Sequence, residues 1–300
     1  MLTTARRGWI PASLAVCAAL LAAAAWTWLP AEGHREPPVR RPTAAERDLL
    51  HTAEQLLVQD CMRERGFSYW PVPLLPDPQF REFPYVVDDA DWARANGYGR
   101  LIQRRVDEEA ESGPRKRYEA GLSAERREAL GVALLGPEPT GLEAETPIGT
   151  LTHSDQGCVA DSWRRLYGDV RLWYASSELT NQLAGDRAGR VERDPAYGKA
   201  LAAWSACMTG RGFPARDPLR QREEQLGRTG AAAEAQDVPM ATAEAECAGT
   251  TGLAATAQDL HRRYSDTIRA ENRSAFDAMW RMQLAAGPTA RDVVARHSGT

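Results

Sequence analysis

The sequence predicts an all-α protein: a disulfide-stapled helical bundle of two related helical hairpins, with a Pro/aromatic-rich irregular insert in the first. Three observations lead to this fold class. The letters "CMRERGF" at 61–67 recur as "CMTGRGF" at 207–213. Four cysteines follow the N-terminal apolar segment, and the stretches around the repeat carry apolar residues at helical spacing. Two unequal copies are too few for a solenoid, so we expect a duplicated helical module.

The first element, residues 1–31, is interpreted as a signal anchor or a cleaved signal peptide. Residues 8–29 carry no charge; as a helix they would span about 33 Å, enough to cross a bilayer core. Lipidation at Cys17 is a third alternative. All three export the remainder, so we expect a single-pass cell-membrane protein with its domain outside, or a secreted protein. The polar, proline-rich residues 32–42 are predicted to form a stalk.

Two helical modules are predicted next, module A at 43–186 and module B at 190–286, with a C-terminal tail at 287–300. Each module reads as helix, repeated motif, loop, cysteine and second helix. The first helix of module A should begin at Thr43, because Glu46 lies three residues further on and completes a capping box. Modules A and B therefore share one architecture.

The repeated letters are interpreted as a helix terminator that carries a disulfide. In a Schellman motif, a left-handed glycine follows the helix cap, and the next apolar residue contacts a residue five positions earlier. In the first copy Gly66 and Phe67 would hold these places, with Met62 as the contact. The same roles in the second copy fall to Gly212, Phe213 and Met208. A structural role is thus favoured over a catalytic or binding motif.

The second helix of each module is predicted to follow its second cysteine. Asp155 precedes the helical stretch that starts at 157. Pro239 is taken to open the helical region of module B, which continues from 246 along an apolar stripe to Phe276.

The four exported cysteines are predicted to form two disulfides, because an even number in an oxidising compartment is typical of a stapled framework. Pairing within each module is favoured, while pairing across the modules stays open. Their spacing contains no close ligand pair and argues against zinc, and the scattered histidines suggest no partner for a catalytic thiol. We expect neither metal nor cofactor. The residues are Cys61, Cys158, Cys207 and Cys247.

The insert at 67–157 is the candidate contact surface. Its run of prolines predicts an extended path, and short helices are predicted at 88–97 and at 122–136, the latter capped by Ser123. Aromatic side chains beside rigid prolines suit a partner-binding face; packing of these rings onto the helices is the alternative. The candidate partner-binding residues are Tyr69, Trp70, Phe80, Phe83, Tyr85 and Trp92.

Two short motifs have catalytic or metal-binding letters but are given structural interpretations. The acidic cluster at 88–91 lacks the full spacing of a calcium loop and is interpreted as a helix cap. His153, Ser154 and Asp155 cannot adopt triad geometry as contiguous residues, and we interpret them as the start of a helix.

The chain resembles a group of uncharacterised exported or membrane-anchored proteins of Streptomyces and related actinobacteria. The resemblance covers roughly 45–285 and rests on the repeated Cys-Met-x-x-x-Gly-aromatic motif and on "AEAECAGTTGL". "YVVDDADWARANGYG" and "GCVADSWRRLYG" add to it. The resemblance implies no activity. It does imply a setting beside envelope export or peptidoglycan-binding components.

The sequence therefore predicts a non-catalytic extracytoplasmic envelope protein that binds a protein partner or a cell-wall component such as peptidoglycan. Two alternatives stay open: a sensor or accessory subunit of a membrane export complex, and a secreted hydrolase whose site is not recognisable. The net charge of −4 gives no support to nucleic-acid binding.

Overall fold

The structure, a computed structural model, describes residues 39–75 and 77–299. The predicted membrane segment at 8–29 and most of the predicted stalk lie outside these ranges. Within them, no helix combines the length and the apolar character that a bilayer crossing requires.

The described part of the chain is mainly helical, which confirms the predicted fold class. Its elements in chain order are α1 (Ala44–Glu64), α2 (Ala90–Asn96), α3 (Arg100–Ser112), α4 (Pro114–Ala120), α5 (Ala124–Leu135), β1 (Gly141–Thr146), β2 (Gly149–Ser154), α6 (Cys158–Tyr167), α7 (Val170–Glu192), α8 (Pro195–Gly210), α9 (Pro218–Gly227), α10 (Ala231–Thr250), α11 (Leu253–Glu271) and α12 (Arg273–Ser298).

Helix α1 begins at the predicted capping box. The Thr43 hydroxyl accepts from the backbone N–H of Glu46 at 3.2 Å, and the Glu46 carboxylate accepts from the N–H of Thr43 at 2.8 Å. One face of α1 then buries Leu50, Ala53 and Leu57 against α6 and α12. Local capping and an apolar face together fix this helix.

Residues 287–298, predicted as a tail, instead continue α12. Ala290 and Val293 are buried in the same cluster as the apolar face of α1. Pro288 lies inside α12, although an interior proline removes one helical hydrogen bond. Burial against α1 outweighs this local penalty, which is why the helix continues through Gly287 and Pro288 into the predicted tail.

Both copies of the repeated motif form the predicted Schellman motif. The Phe67 N–H donates to the Met62 carbonyl at 2.9 Å, and the intervening Gly66 has φ of 76°. In the second copy the Phe213 N–H donates to the Met208 carbonyl at 3.0 Å. Each copy of the seven-residue motif therefore ends its helix with a Schellman motif.

The disulfides join Cys61 to Cys158 and Cys207 to Cys247, the pairing that the sequence favoured. They indicate an oxidising compartment outside the cytoplasm. An ion pair accompanies each staple. Arg65, in the first repeat, contacts Asp161 at 3.1 Å. In the second repeat Arg211 pairs with Glu246, which is adjacent in sequence to the bridged Cys247.

Module B is divided differently from the prediction. Pro239 does not open a helix but lies inside α10, which begins at Ala231. Cys247 lies near the end of that helix, not ahead of the next one. The predicted continuous stretch then breaks at Gly252, whose φ of 78° ends the helical path, and breaks again at Asn272.

The insert is more regular than predicted. Both expected helices are present as α2 and α5, and the Ser123 hydroxyl caps α5. The insert also contains α3, α4 and an antiparallel hairpin in which Gly141 pairs with Ser154. His153 and Ser154 therefore end a strand, and the next helix starts at Cys158. Alternation in "GLEAET" is the period-two signal for β1, with Leu142 and Ala144 buried.

Candidate binding site

The six candidate binding residues are divided among four places. Phe80, Phe83 and Trp92 line one pocket, and Tyr85 lines a second. Tyr69 lies against α1, where its hydroxyl donates to Gln55 at 2.8 Å. Trp70 contacts Tyr118 of α4 with ring centroids 5.6 Å apart. Packing thus accounts for Tyr69, and half of the set converges on one cavity.

We call this cavity the aromatic pocket. It has a volume of about 360 Å³ and lies between the 80–87 segment, α2, the start of α3, and α9. Its rings and aliphatic walls come from Phe80, Phe83, Trp92, Tyr98, Ile102 and Leu226. Volumes of 300–1,000 Å³ are typical of small-molecule sites, so the aromatic pocket has room for one ring or one large side chain.

The Trp92 wall is positioned by α2. Asp89 caps this helix by accepting from the Trp92 N–H at 2.9 Å, and the indole N–H donates to the Gln79 carbonyl at 2.9 Å. Phe83 packs beside the indole with centroids 4.9 Å apart. Gly99 has φ of 87°, and a Cβ there would lie 3.3 Å from the Trp92 ring. The indole is thereby fixed by its hydrogen bond to Gln79 and by its contact with Phe83.

The floor of the aromatic pocket rests on a buried carboxyl group. Glu244 of α10 is completely buried; it accepts from the Tyr98 hydroxyl at 2.7 Å and from the Val87 N–H at 2.8 Å. Burial raises the pKa of Glu244 to about 7, an effect that these two hydrogen bonds oppose. Burial, with the nearby Glu244, also raises the pKa of Tyr98. Tyr98 therefore stays a neutral donor at physiological pH.

A second carboxylate holds the backbone beneath Tyr98. Asp237 of α10 accepts from the Tyr98 N–H at 3.1 Å, and its other oxygen lies 3.8 Å from Nε of Arg100. Gly97 has φ of 61°, and a Cβ at this position would overlap the Asp237 carboxylate. Gly97 is thus required by its close approach to Asp237, and Gly99 by its close approach to Trp92.

The rim of the aromatic pocket carries charge. Arg81, Arg222 and Glu82 are among its lining residues. The Arg222 guanidinium donates to the Phe83 carbonyl at 2.8 Å, and that of Arg81 makes a long contact of 3.4 Å to the Phe80 carbonyl. Two cations thus face one carboxylate at the mouth.

The second pocket is smaller, about 300 Å³, and a polar contact lies in its wall. The Tyr85 hydroxyl lies 3.0 Å from Nδ1 of His261, and Asp88 and Arg262 complete one side. Burial lowers the pKa of His261, so its imidazole is neutral at pH 7. Tyr85 itself is buried.

The acidic residues at 88–91 act singly. Asp89 is the helix cap, as predicted, Asp88 accepts from Gln258 at 2.8 Å, and Asp91 pairs with Arg94. Across 39–75 and 77–299, no group of His, Cys, Asp and Glu side chains is arranged to hold a metal ion. The His153 ring packs against Trp163, away from the aromatic pocket.

Sequence reasoning missed the contribution of module B. Glu244, Arg222 and Leu226 come from helices more than a hundred residues beyond the pocket's aromatic residues, and nothing in their local letters marks them as pocket residues. The one available signal is Glu244 itself, a charged residue within the apolar, alanine-rich "ATAEAECA" stretch. Such a residue is buried only when partners satisfy it.

No protein-family model, no curated protein and no solved structure matches this chain. Its function must therefore be inferred from the chemistry of the aromatic pocket and from the compartment that the disulfides indicate.

Proposed function

We propose that this chain is a non-catalytic binding protein of the extracytoplasmic envelope, attached to the membrane through residues 8–29 or released by their cleavage. Its aromatic pocket would capture a single apolar side chain of a protein partner. The observation that carries this proposal is a cavity of about 360 Å³ walled by four aromatic rings.

The walls resemble a recognition site more than a core defect. Protein interiors are packed closely, with few voids larger than a water molecule, whereas Phe80 and Trp92 are only half-buried and border an accessible cavity. Trp92 is held in place by its contact with Phe83 and by the hydrogen bond of its indole N–H to the Gln79 carbonyl. A pre-positioned aromatic wall costs little ordering entropy when a ligand binds.

The ionisable groups of the aromatic pocket also suit binding. Arginine stays protonated in proteins and is a poor proton acceptor, and the pKa of Tyr98 is raised by burial. Glu82 is exposed at the rim. These residues can orient a ligand, and an apolar lining with a few polar groups is typical of a binding site.

The proposal is tested by titrating the purified protein with blocked amino acids, the N-acetyl amides of tryptophan, phenylalanine and leucine, and with N-acetylglucosamine oligomers as the cell-wall alternative. Intrinsic tryptophan fluorescence and calorimetry measure binding. We expect an aromatic or aliphatic amide to bind, and Trp92→Ala to weaken it by about tenfold or more, since buried aromatic anchors contribute about 2 kcal/mol.

Trp70→Ala is the matched control, because Trp70 lies outside the aromatic pocket, against Tyr118. It should leave affinity unchanged. Equal affinity of the wild type and Trp92→Ala for every probe would contradict the proposal. Binding of the oligosaccharides alone would replace the protein partner with a glycan.

A second candidate function, an accessory subunit of a membrane export complex, is favoured by one exposed run. Val72, Leu74 and Leu75 are 46–50% exposed on a proline-flanked stretch, and exposed apolar runs mark protein contacts. Co-purification from envelopes with a Leu74→Ser/Leu75→Ser variant tests it: an unchanged set of partners would remove this candidate.

A further inference from the structure

We propose that the group held in the aromatic pocket carries a carboxylate beside its apolar side chain, so that the pocket recognises the C-terminal residue of a polypeptide. This inference rests on the proposed function. It adds the charge of the ligand and the part of the partner that enters.

The first observation is the pairing state of Arg222. This residue lies on α9, half-buried beside the rings, and donates one hydrogen bond to the main-chain carbonyl of Phe83. Within the described residues it forms no ion pair with a carboxylate at 4.0 Å or less. A guanidinium has five N–H donors, so most of its donor capacity remains for a ligand.

Neighbouring arginines behave differently. Arg220, two positions earlier on α9, pairs with Glu224 at 2.9 Å. Arg105, on α3, pairs with Asp77 at 2.9 Å. Arg222 differs from these two arginines because its guanidinium borders an apolar pocket and has no carboxylate partner in the described part of the chain.

The second observation is the charge balance of the mouth. Arg81 stands on the same rim and has only a long contact to a backbone carbonyl. Arg81 and Arg222 against Glu82 leave one net positive charge among the lining residues, and Glu244 beneath the floor adds no negative charge when the pH is below its pKa of about 7. Charges act more strongly beside a low-dielectric wall than in open water. A ligand that fills the aromatic pocket would therefore gain affinity from an anionic group.

A planar carboxylate fits this site best. Guanidinium groups bind carboxylates through two parallel hydrogen bonds, and a cavity of about 360 Å³ holds one apolar side chain. A C-terminal residue joins these two features, since its carboxylate lies one carbon from the side chain. Capture of a chain terminus is a recurrent mode of peptide recognition.

The experiment compares two probes that differ only in the terminal group, a carboxylate in N-acetyl-phenylalanine and an amide in N-acetyl-phenylalanine amide, by calorimetry at pH 6 and low salt, where Glu244 is mostly protonated. We expect the acid to bind about tenfold tighter than the amide, as one charge-assisted bond would give. In Arg222→Gln the two probes should bind equally. The control Arg220→Gln, on the same helix, should keep the preference for the acid.

Three further outcomes are informative. Equal affinity of acid and amide in the wild type would overturn this inference while the proposed function stands. Failure of both probes, and of the other blocked amides, would overturn both. Because Arg222 also holds the Phe83 carbonyl, Arg81→Gln is measured as a second variant; a full acid preference in both variants would overturn the role of these arginines.

A separate comparison tests whether the ligand is the end of a polypeptide. A hexapeptide that ends in phenylalanine should bind tighter as the free acid than as the C-terminal amide, and tighter than N-acetyl-phenylalanine. A hexapeptide acid no tighter than N-acetyl-phenylalanine would assign the site to small apolar acids and overturn the chain-terminus assignment.

Discussion

Glu244 should make the stability of this protein fall as the pH rises through neutrality. Its carboxyl group is completely buried, and burial raises its pKa from 4.5 to about 7. Between these values the folded protein holds a proton that the unfolded chain has released. Stability is then greatest below pH 4.5, declines as the pH rises from 4.5 to about 7, and levels off above that value.

The magnitude follows from the pKa difference. At about 1.4 kcal/mol for each pKa unit, ionised Glu244 costs the folded state about 3 kcal/mol. Of this, about 2.5 kcal/mol is lost between pH 5 and pH 8. Urea denaturation of the disulfide-intact protein, followed by circular dichroism at several pH values in this range, measures the free energy of unfolding.

Glu244→Gln removes this titration. The amide has one acceptor oxygen for two donors, the Tyr98 hydroxyl and the Val87 N–H, so the variant should be about 1 kcal/mol less stable than the wild type at pH 5. At pH 8 the order should reverse. Other groups with raised pKa values, such as Glu54, Asp237 and His297, titrate in both proteins and cancel in the comparison.

Glu246→Gln is the matched control, two positions further along α10. Ion pairs with Arg211 and Arg94 lower the pKa of Glu246, so its titration lies below this pH range and the variant should keep the wild-type slope. Parallel curves for the wild type and Glu244→Gln would refute the claim that Glu244 is protonated in the folded protein near pH 6.

Three further predictions concern the scaffold. Replacing both cysteines of the Cys61–Cys158 bridge by serine should lower the free energy of unfolding by about 5 kcal/mol, and the same change at Cys207–Cys247 by about 4 kcal/mol. The first loss is larger because the closed loop has 97 residues and not 40. Denaturant midpoints in the opposite order would contradict the loop-entropy account. Gly212→Ala should destabilise by about 1–2 kcal/mol, since φ is 84°, whereas Gly198→Ala inside α8 should stabilise by about 0.5 kcal/mol; thermal melting of both variants decides. Gly97→Ala should lower the melting temperature more than Gly212→Ala does, because its Cβ would also overlap Asp237, and equal losses would show that the loop yields.

Much of the local structure could be predicted from the letters. The capping box at Thr43, the Asp89 cap and the Schellman ends at Gly66 and Gly212 all use partners within six residues. Such motifs have fixed spacing, so one sequence suffices to recognise them. The β-hairpin after α5 carries a comparable local signal, its period-two alternation, although it lies in the insert that is predicted to be irregular.

Helix boundaries in the second half could not be predicted in the same way. Pro239 is predicted to open a helix, and Pro288 falls in the predicted tail. Both lie inside helices instead. Ala241 and Ala245 pack against the insert, and Ala290 against α1. Long-range burial offsets the missing hydrogen bond, and this gain depends on partners distant in sequence.

The candidate site, too, has a part that local sequence predicts and a part that depends on long-range packing. The sequence identified the aromatic insert, and three of its six candidates, Phe80, Phe83 and Trp92, line the aromatic pocket. It could not predict that Tyr69 would pack against α1 or that Tyr85 would be buried beside a second pocket. Nor could it predict that α9 and α10 would complete the site. Whether a ring faces a cavity or a neighbour depends on helices that meet it only after folding.

By itself, the sequence determined the helical class, the stapled framework and the helix terminator written twice at 61–67 and 207–213. The helical class and the terminator depend on residue type and short spacing, whereas the stapled framework was predicted from an even number of cysteines in an exported chain. Only the tertiary structure decided that Glu244 is buried under Tyr98 and that Arg222 faces an apolar wall. Desolvation and charge pairing are properties of the assembled surroundings, so no window of local sequence contains them.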